Sequence, residues 1–257
     1  MTLVRVARKA SRLPAVVRDG WNYPALRVRA NNRQTPVEAL RALGFDGRRL
    51  RGLEQGFDRV AAELYATLAE AARDAGAIEA ERRLLAPSSA SRDAKKLLYL
   101  ATRIVAPSLV VETGAFNGAA SSFLLAALDE NGHGKLLSFD LLAARDALGI
   151  PVAGGRRPGW LVPAELRQRF ELVLGDTRET LERHLCAEQC VDMFMHDSMH
   201  TLRHMLFEYR VAWRHLSLGG LLLSDDVFWN PAFWVFTKRH RVPFHHTGTM
   251  GSTRKRL

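Results

Sequence analysis

Five short apolar runs restrict the folds open to this chain more than any other feature. "SLVVETG" (108–114), "KLLSFD" (135–140), "FELVLGD" (170–176), "VDMFMHD" (191–197) and "GGLLLSDD" (219–226) each close on an acid or a glycine. Stretches with helical character separate them: "AASSFLLAAL" (119–128), "RETLERHL" (178–185) and "TLRHMLFEYRVAWRHL" (201–216). Strands alternating with helices predict an α/β fold, a mostly parallel sheet with helices on both faces. Ligands of such sheets bind outside the carboxyl ends of the strands. The acids and glycines of this chain cluster at those ends.

Before the first run the periodicity is helical. In "FDRVAAELYATLAEAARDAGAI" (57–78), Val60, Leu64, Leu68 and Ala72 recur at steps of four, which lines one helix face. "PSSASRDAKKLLYLATRI" (87–104) opens with Ser and Asp residues suited to a helix start. We divide the chain into a basic N-terminal helical extension, residues 1–90, and an α/β domain, residues 91–257. "GIPVAGGRRPGW" (149–160) reads as a long loop or insertion.

Composition excludes several classes. With 47% apolar and 25% charged residues, the chain matches ordinary globular proteins. No apolar run reaches the length of a membrane span, and the N-terminus lacks a secretory signal, so a cytoplasmic protein is expected. Cys186 and Cys190 form neither a disulfide framework nor a recognisable metal motif; they are expected to be reduced and partly buried. The formal net charge is +10. Before residue 35, Arg5, Arg8, Lys9, Arg12, Arg18, Arg27, Arg29 and Arg33 face only Asp19. Such a segment suits an anionic membrane surface or nucleic acid, or is a solvated arginine-rich leader.

"VVETGAFNGAAS" (110–121) ends a strand and opens a helix. Gly114 and Gly118 permit a tight turn and close approach of backbone to ligand, with Ala115, Phe116 and Asn117 filling the interval. A nicotinamide fold prefers G-x-G-x-x-G. Glu112 before this spacing suits S-adenosylmethionine instead. Asp140 is placed to accept ribose hydroxyls, or caps a turn. Gly175, Asp176 and Thr177 could read an adenine edge, although Asp176 and Glu179 also fit a helix-capping pair. Asp197, Asp225 and Asp226 end the fourth and fifth strands. Three carboxylates at one edge repel unless neutralised, and Mg2+ with oxygen ligands would do so; helix caps and turns are the other reading. His200 follows Asp197 closely enough to take a proton from a bound hydroxyl. His196, His200 and His204 are spaced by four, as on a zinc-binding helix, but His196 lies within the strand.

Together these residues resemble the class I S-adenosylmethionine-dependent methyltransferases, over roughly residues 95–234. Within them the likeness is to metal-dependent O-methyltransferases of the catechol O-methyltransferase type, and more closely to bacterial enzymes that methylate sugar hydroxyls on macrolides and glycolipids. "ETGAFNG", "HDSMH" and "GGLLLSDDV" carry it. The resemblance implies a Rossmann-like seven-stranded, mostly parallel sheet, with the N-terminal extension as a lid, oligomer surface or basic patch. Glu112, Gly114 and Gly118 then match the cofactor loop and Asp140 the ribose acid. Asp197, Asp225 and Asp226 match the metal ligands, with Asp197 and His200 as the catalytic pair. Ser121 and His196 join the expected cofactor contacts; the serine usual at the methionine end is Ala120 here. His200 stands where catechol-type enzymes carry lysine and the sugar-modifying ones histidine, implying a sugar-like or other small-molecule hydroxyl. Trp229, Asn230, Phe233 and Trp234 line an acceptor pocket or form an aromatic helix on the sheet. The alternative is an RNA-binding protein or RNA methyltransferase that uses the basic N-terminus, although an acidic edge repels phosphates.

Overall fold

A computed structural model describes residues 31–76, 89–142, 156–188 and 190–256. Most of the basic leader and most of the 149–160 stretch lie outside them. Helix α1 (Pro36–Ala42) starts at a capping box, in which Thr35 Oγ1 accepts the Glu38 N–H and Glu38 Oε2 accepts the Thr35 N–H. Helix α2 (Gly47–Asp74) is capped by Asp46 and buries Val60, Leu64, Leu68 and Ala72, the face its periodicity predicts. Helix α3 (Ser89–Val105) leads into the sheet.

The order thereafter is β1 (Leu109–Thr113), α4 (Ala119–Asn131), β2 (Lys135–Asp140), a 3-10 turn (Ala164–Arg169), β3 (Phe170–Leu174), α5 (Thr177–Leu185), β4 (Val191–His196), α6 (Leu202–His215), β5 (Leu216–Ser224), α7 (Ala232–His240), β6 (His245–Thr247) and β7 (Met250–Arg254). All five apolar runs form strands. The sheet has seven strands in the order β3-β2-β1-β4-β5-β7-β6. The first five are parallel, and β7 runs antiparallel to both β5 and β6. This is the Rossmann-like, mostly parallel sheet that the sequence predicts.

Alternate strand residues feed two cores, as a period of two requires. Val110, Leu136, Met193, Met195 and Leu221 pack under α1 to α4 with Leu40, Phe57, Leu97 and Phe123. Leu109, Val111, Leu137, Phe139 and Phe194 pack under α5 to α7 with Leu181, Met205, Tyr209 and Phe236. The N-terminal helices thus share a core with the sheet. Each fully buried side chain of this size contributes about 1.5–3 kcal/mol, which fixes the sheet between its helical layers.

One strand-end ladder aligns the polar residues. The Gly114 N–H donates to Phe139 O (2.8 Å), the Asp197 N–H to Thr113 O (2.8 Å), the Asp225 N–H to His196 O (2.8 Å) and the Gly175 N–H to Asp140 O (2.9 Å). Gly114, Asp140, Gly175, Asp197 and Asp225, at or one residue before the ends of the five runs, are therefore level across the sheet. Among the described residues no helix is long and apolar enough to cross a membrane. Cys186 and Cys190 are free thiols, but both are exposed rather than partly buried.

Candidate functional site

The site begins at the turn after β1. Gly114 has φ +89°, and a Cβ there would lie 2.2 Å from Asp197 O, so only glycine lets the β1 and β4 ends touch. Gly118, at φ +91°, has the same role against Gly159 and Val162. The end of the 149–160 stretch folds onto this loop: the Gly159 N–H donates to Phe116 O and the Leu161 N–H to Asn117 O, both at 2.9 Å. Phe116 takes φ +47° without being glycine. It is held there by Asp140, whose Oδ2 accepts the Phe116 N–H at 2.7 Å while Oδ1 accepts the Leu141 N–H at 2.6 Å. Asp140 thus bridges the cofactor-type loop and the β2 end, and burial raises its carboxyl above the ordinary range.

Glu112 points from β1 toward α4 and is almost wholly buried. Its Oε2 accepts the Ser121 hydroxyl (2.6 Å) and the Ser138 hydroxyl (2.5 Å), while Oε1 has no partner. Burial pushes its carboxyl up to about 7 against the pull of both serines. Asn117 is buried and caps α4 through Oδ1 on the Ala119 N–H, and Ala115 is also buried. In the glycine loop Gly114 and Phe116 are half-buried.

At the β3 end Asp176 caps α5, accepting the Arg178 N–H at 2.8 Å, and pairs with the Arg178 guanidinium. Gly175 is half-buried beside it, and Thr177 turns its hydroxyl inward. The capping role therefore holds for Asp176, whatever else it does.

Asp197, Asp225 and Asp226 come to one edge. Burial raises the Asp197 carboxyl well above the ordinary range, and Asp225, Asp226, Glu112 and Asp140 raise it further, in that order. Asp225 Oδ1 accepts the Thr249 hydroxyl at 2.7 Å, and Asp226 sits at φ +49°. The three carboxylates do not form a closed metal cluster: among the described residues, the one set of three ligand-type groups within 4.8 Å of one another is Glu182, Cys186 and His215, at the far edge. His200 Nε2 lies 3.6 Å from Asp197 Oδ1, buried and without a hydrogen bond. Burial, then the nearby His196, pulls His200 down to about 3, so the ring is neutral at neutral pH. Trp229 lies beside it, with ring centroids 6.3 Å apart. Phe233 is fully buried and Asn230 caps α7, so those two serve the aromatic helix, while Trp229 and Trp234 stay half-buried.

His196 is fully buried with its ring turned to α6. It leads to a residue the sequence reading missed. Glu208, on α6 and wholly buried, accepts His196 Nδ1 (2.6 Å) and the Thr113 hydroxyl (2.6 Å) on Oε2. Its Oε1 accepts His204 Nε2 (2.7 Å) and the hydroxyls of Thr177 (2.7 Å) and Ser198 (2.9 Å). Despite burial, His196 and His204 hold its carboxyl well below the ordinary range. The His196–His200–His204 zinc geometry does not arise, since two of the three rings are committed to Glu208. The readable signal was an acid on the apolar face of α6, four residues after His204.

A methyltransferase-domain family model matches residues 111–227. Several solved structures are similar. The O-methyltransferase TomG from Streptomyces achromogenes, involved in tomaymycin synthesis and solved with S-adenosylmethionine, superposes with a TM-score of 0.53 at 16% identity, over 76% of this chain and 90% of its own. The Podospora anserina methyltransferase PaMTH1, bound to S-adenosylhomocysteine, gives 0.53 at 13% identity over 79% and 96%. An O-methyltransferase from Bacillus cereus, also with S-adenosylhomocysteine, gives 0.52 at 15% over 74% and 91%. No curated protein matches the chain by sequence. At these identities the likeness establishes the fold.

Proposed function

We propose that the chain, whose residues 111–227 match a methyltransferase-domain family model and whose fold is that of class I methyltransferases, is an S-adenosylmethionine-dependent O-methyltransferase acting on a hydroxyl of a small molecule or sugar. The observation that carries this reading is the strand-end ladder. It aligns Gly114, Asp140, Asp197 and Asp225 along one edge, with the unpartnered ring nitrogen of His200 beside them. The cofactor fits the cleft chemically. Glu112 Oε1 is a buried acceptor lacking a donor, suited to the ammonium of the methionine end, and Asp140 keeps lone pairs for ribose hydroxyls. A divalent cation also suits the donor set: Asp197, Asp225 and Asp226 would hold it, and it would relieve the repulsion that raises Asp197. When bound, such an ion lowers the pKa of an acceptor hydroxyl.

The chain's own residues supply positioning. Gly114 and Asp140 fix the loop that would hold the methyl donor, and Trp229 walls the side next to His200. In that site the acceptor oxygen would take the methyl carbon as the carbon–sulfur bond broke in line, with S-adenosylhomocysteine as the leaving group. The hydroxyl proton would pass to His200, whose Nε2 has no hydrogen bond and lies 3.6 Å from Asp197 Oδ1, the carboxylate that would offset the charge burial opposes. Holding both reactants in line is the larger part of such catalysis.

The test is to incubate the full chain with methyl-labelled S-adenosylmethionine and an extract of its source cells, with Mg2+ or with EDTA. EDTA-sensitive label in a small-molecule or lipid fraction is expected, lost in Asp225→Ala while cofactor affinity stays within a few-fold. Label in RNA, or label indifferent to EDTA, overturns the acceptor class or the metal assignment respectively.

A further inference from the structure

The exposed face of α6 and the turn before it leave arginines and apolar side chains uncovered together. Arg203 and Arg210 are two turns apart on one helix face, both exposed, and neither makes an ion pair among the described residues. Between and beside them stand Leu202, 39% exposed, Met199, 48% exposed, and the half-buried Leu206 and Phe207. With Arg178 they line two adjoining grooves of about 290 and 410 Å³, and no acid lines either one. At the same sheet edge, just past β2, Leu141 and Leu142 are 43% and 61% exposed.

We propose that this face docks on an anionic phospholipid bilayer. The Arg203 and Arg210 guanidinium groups, which meet no carboxylate among the described residues, are suited to lipid phosphates. Leucine and methionine side chains beside them gain by entering the acyl boundary, as on an interfacial amphipathic helix. A nucleic acid fits less well, because single strands need aromatic platforms and this face offers only the half-buried Phe207. The cations of residues 1–30 add to the attraction in the full chain. The inference is independent of methyl transfer, since bilayer binding needs neither cofactor nor acceptor.

The test is co-sedimentation of the full chain with vesicles of phosphatidylcholine alone or mixed with phosphatidylglycerol. Binding to the mixed vesicles that weakens with salt, and little to the neutral ones, is expected. Arg203→Glu with Arg210→Glu should lower the partition by roughly tenfold or more. Met199→Ser with Leu202→Ser should lower it several-fold and leave a more salt-sensitive remainder. All four positions are solvent-facing, so thermal unfolding of both variants should match the parent. Unchanged vesicle binding in both variants would assign the affinity to residues 1–30 and overturn the proposal. So would binding to RNA without binding to vesicles, or no vesicle binding at all.

Discussion

Glu208 Oε2 accepts His196 Nδ1–H across 2.6 Å, and neither side chain touches solvent. Through its five bonds this one carboxylate ties α6 to the ends of β1 and β4 and to the start of α5. Glu208→Gln puts an NH2 group against donors on one side. A stability loss of about 2–4 kcal/mol is expected, together with a roughly tenfold loss of S-adenosylhomocysteine affinity, because Thr113 and Ser198 adjoin the cofactor loop and the acidic edge. Calorimetric binding alongside thermal melts checks this; a lower melting point with unchanged affinity would reduce Glu208 to structural support. Since its folded carboxyl is held below the ordinary range, its contribution is complete above that range and lost as pH falls toward the folded value. The acid limb of the stability curve should therefore flatten in the variant.

Gly114→Ala and Gly132→Ala separate crowding from backbone strain. Both glycines have positive φ, +89° and +75°, but only Gly114 has backbone within reach of a new Cβ, at 2.2 Å, while Gly132 has nothing within 4 Å. Gly132→Ala should cost about 1 kcal/mol, the strain alone. Gly114→Ala must part the β1 and β4 ends, costing more than about 3 kcal/mol, and should abolish cofactor binding. Equal melting points for the two would refute the close approach.

Glu112 makes binding and stability depend on pH. Its folded carboxyl, raised to about 7 from 4.5, keeps a proton that the unfolded chain has lost. Its stabilising contribution is therefore complete below the unfolded value and disappears as pH rises through about 7, a swing on the order of 3 kcal/mol. Glu112→Gln should abolish that decline. A cofactor ammonium at Oε1 favours the ionised form, so binding near pH 6 to 7 should release a proton. Titrations in buffers of different ionisation enthalpy would reveal it, and identical heats in all buffers would sink the contact.

Asp140→Ala removes the acceptor of two backbone N–H groups, one of them holding Phe116 at positive φ. Cofactor affinity should fall at least about tenfold, with Asp140→Asn intermediate because one oxygen remains. Unchanged affinity in the alanine variant would remove Asp140 from the cofactor's contacts.

The parallel strands were legible because each is an apolar run bounded by polar punctuation, and buried parallel strands have no other way to read. The alignment of Asp140, Asp197 and Asp225 followed from that. Strands β6 and β7 were not legible residue by residue: "HHTGTMGSTR" is polar, and its burial is imposed by pairing with β5 and packing under Phe228 and Phe233. The role of Glu208 was hidden for another reason: the acid on α6 is visible in the sequence, but its five donors come from four separated segments. Asp176 shows the opposite case, where a capping pattern in the sequence was realised by the cap itself.

The C-terminal hairpin also holds the N-terminal helices. The Gln34 N–H donates to His246 O at 3.1 Å, and the Arg254 guanidinium reaches Leu43 O at 3.2 Å, 211 residues away along the chain. During synthesis at roughly 5–20 residues per second, the first turns of α1 therefore wait about 10–40 s for their anchoring strand. Over that interval Leu40 and Leu43 have only part of their eventual cover, and the free edge of β5 is open to other chains. Until the last hairpin docks, an unpaired strand edge and a part-covered apolar face stand open together, so the final residues of the sheet are what close the fold against aggregation.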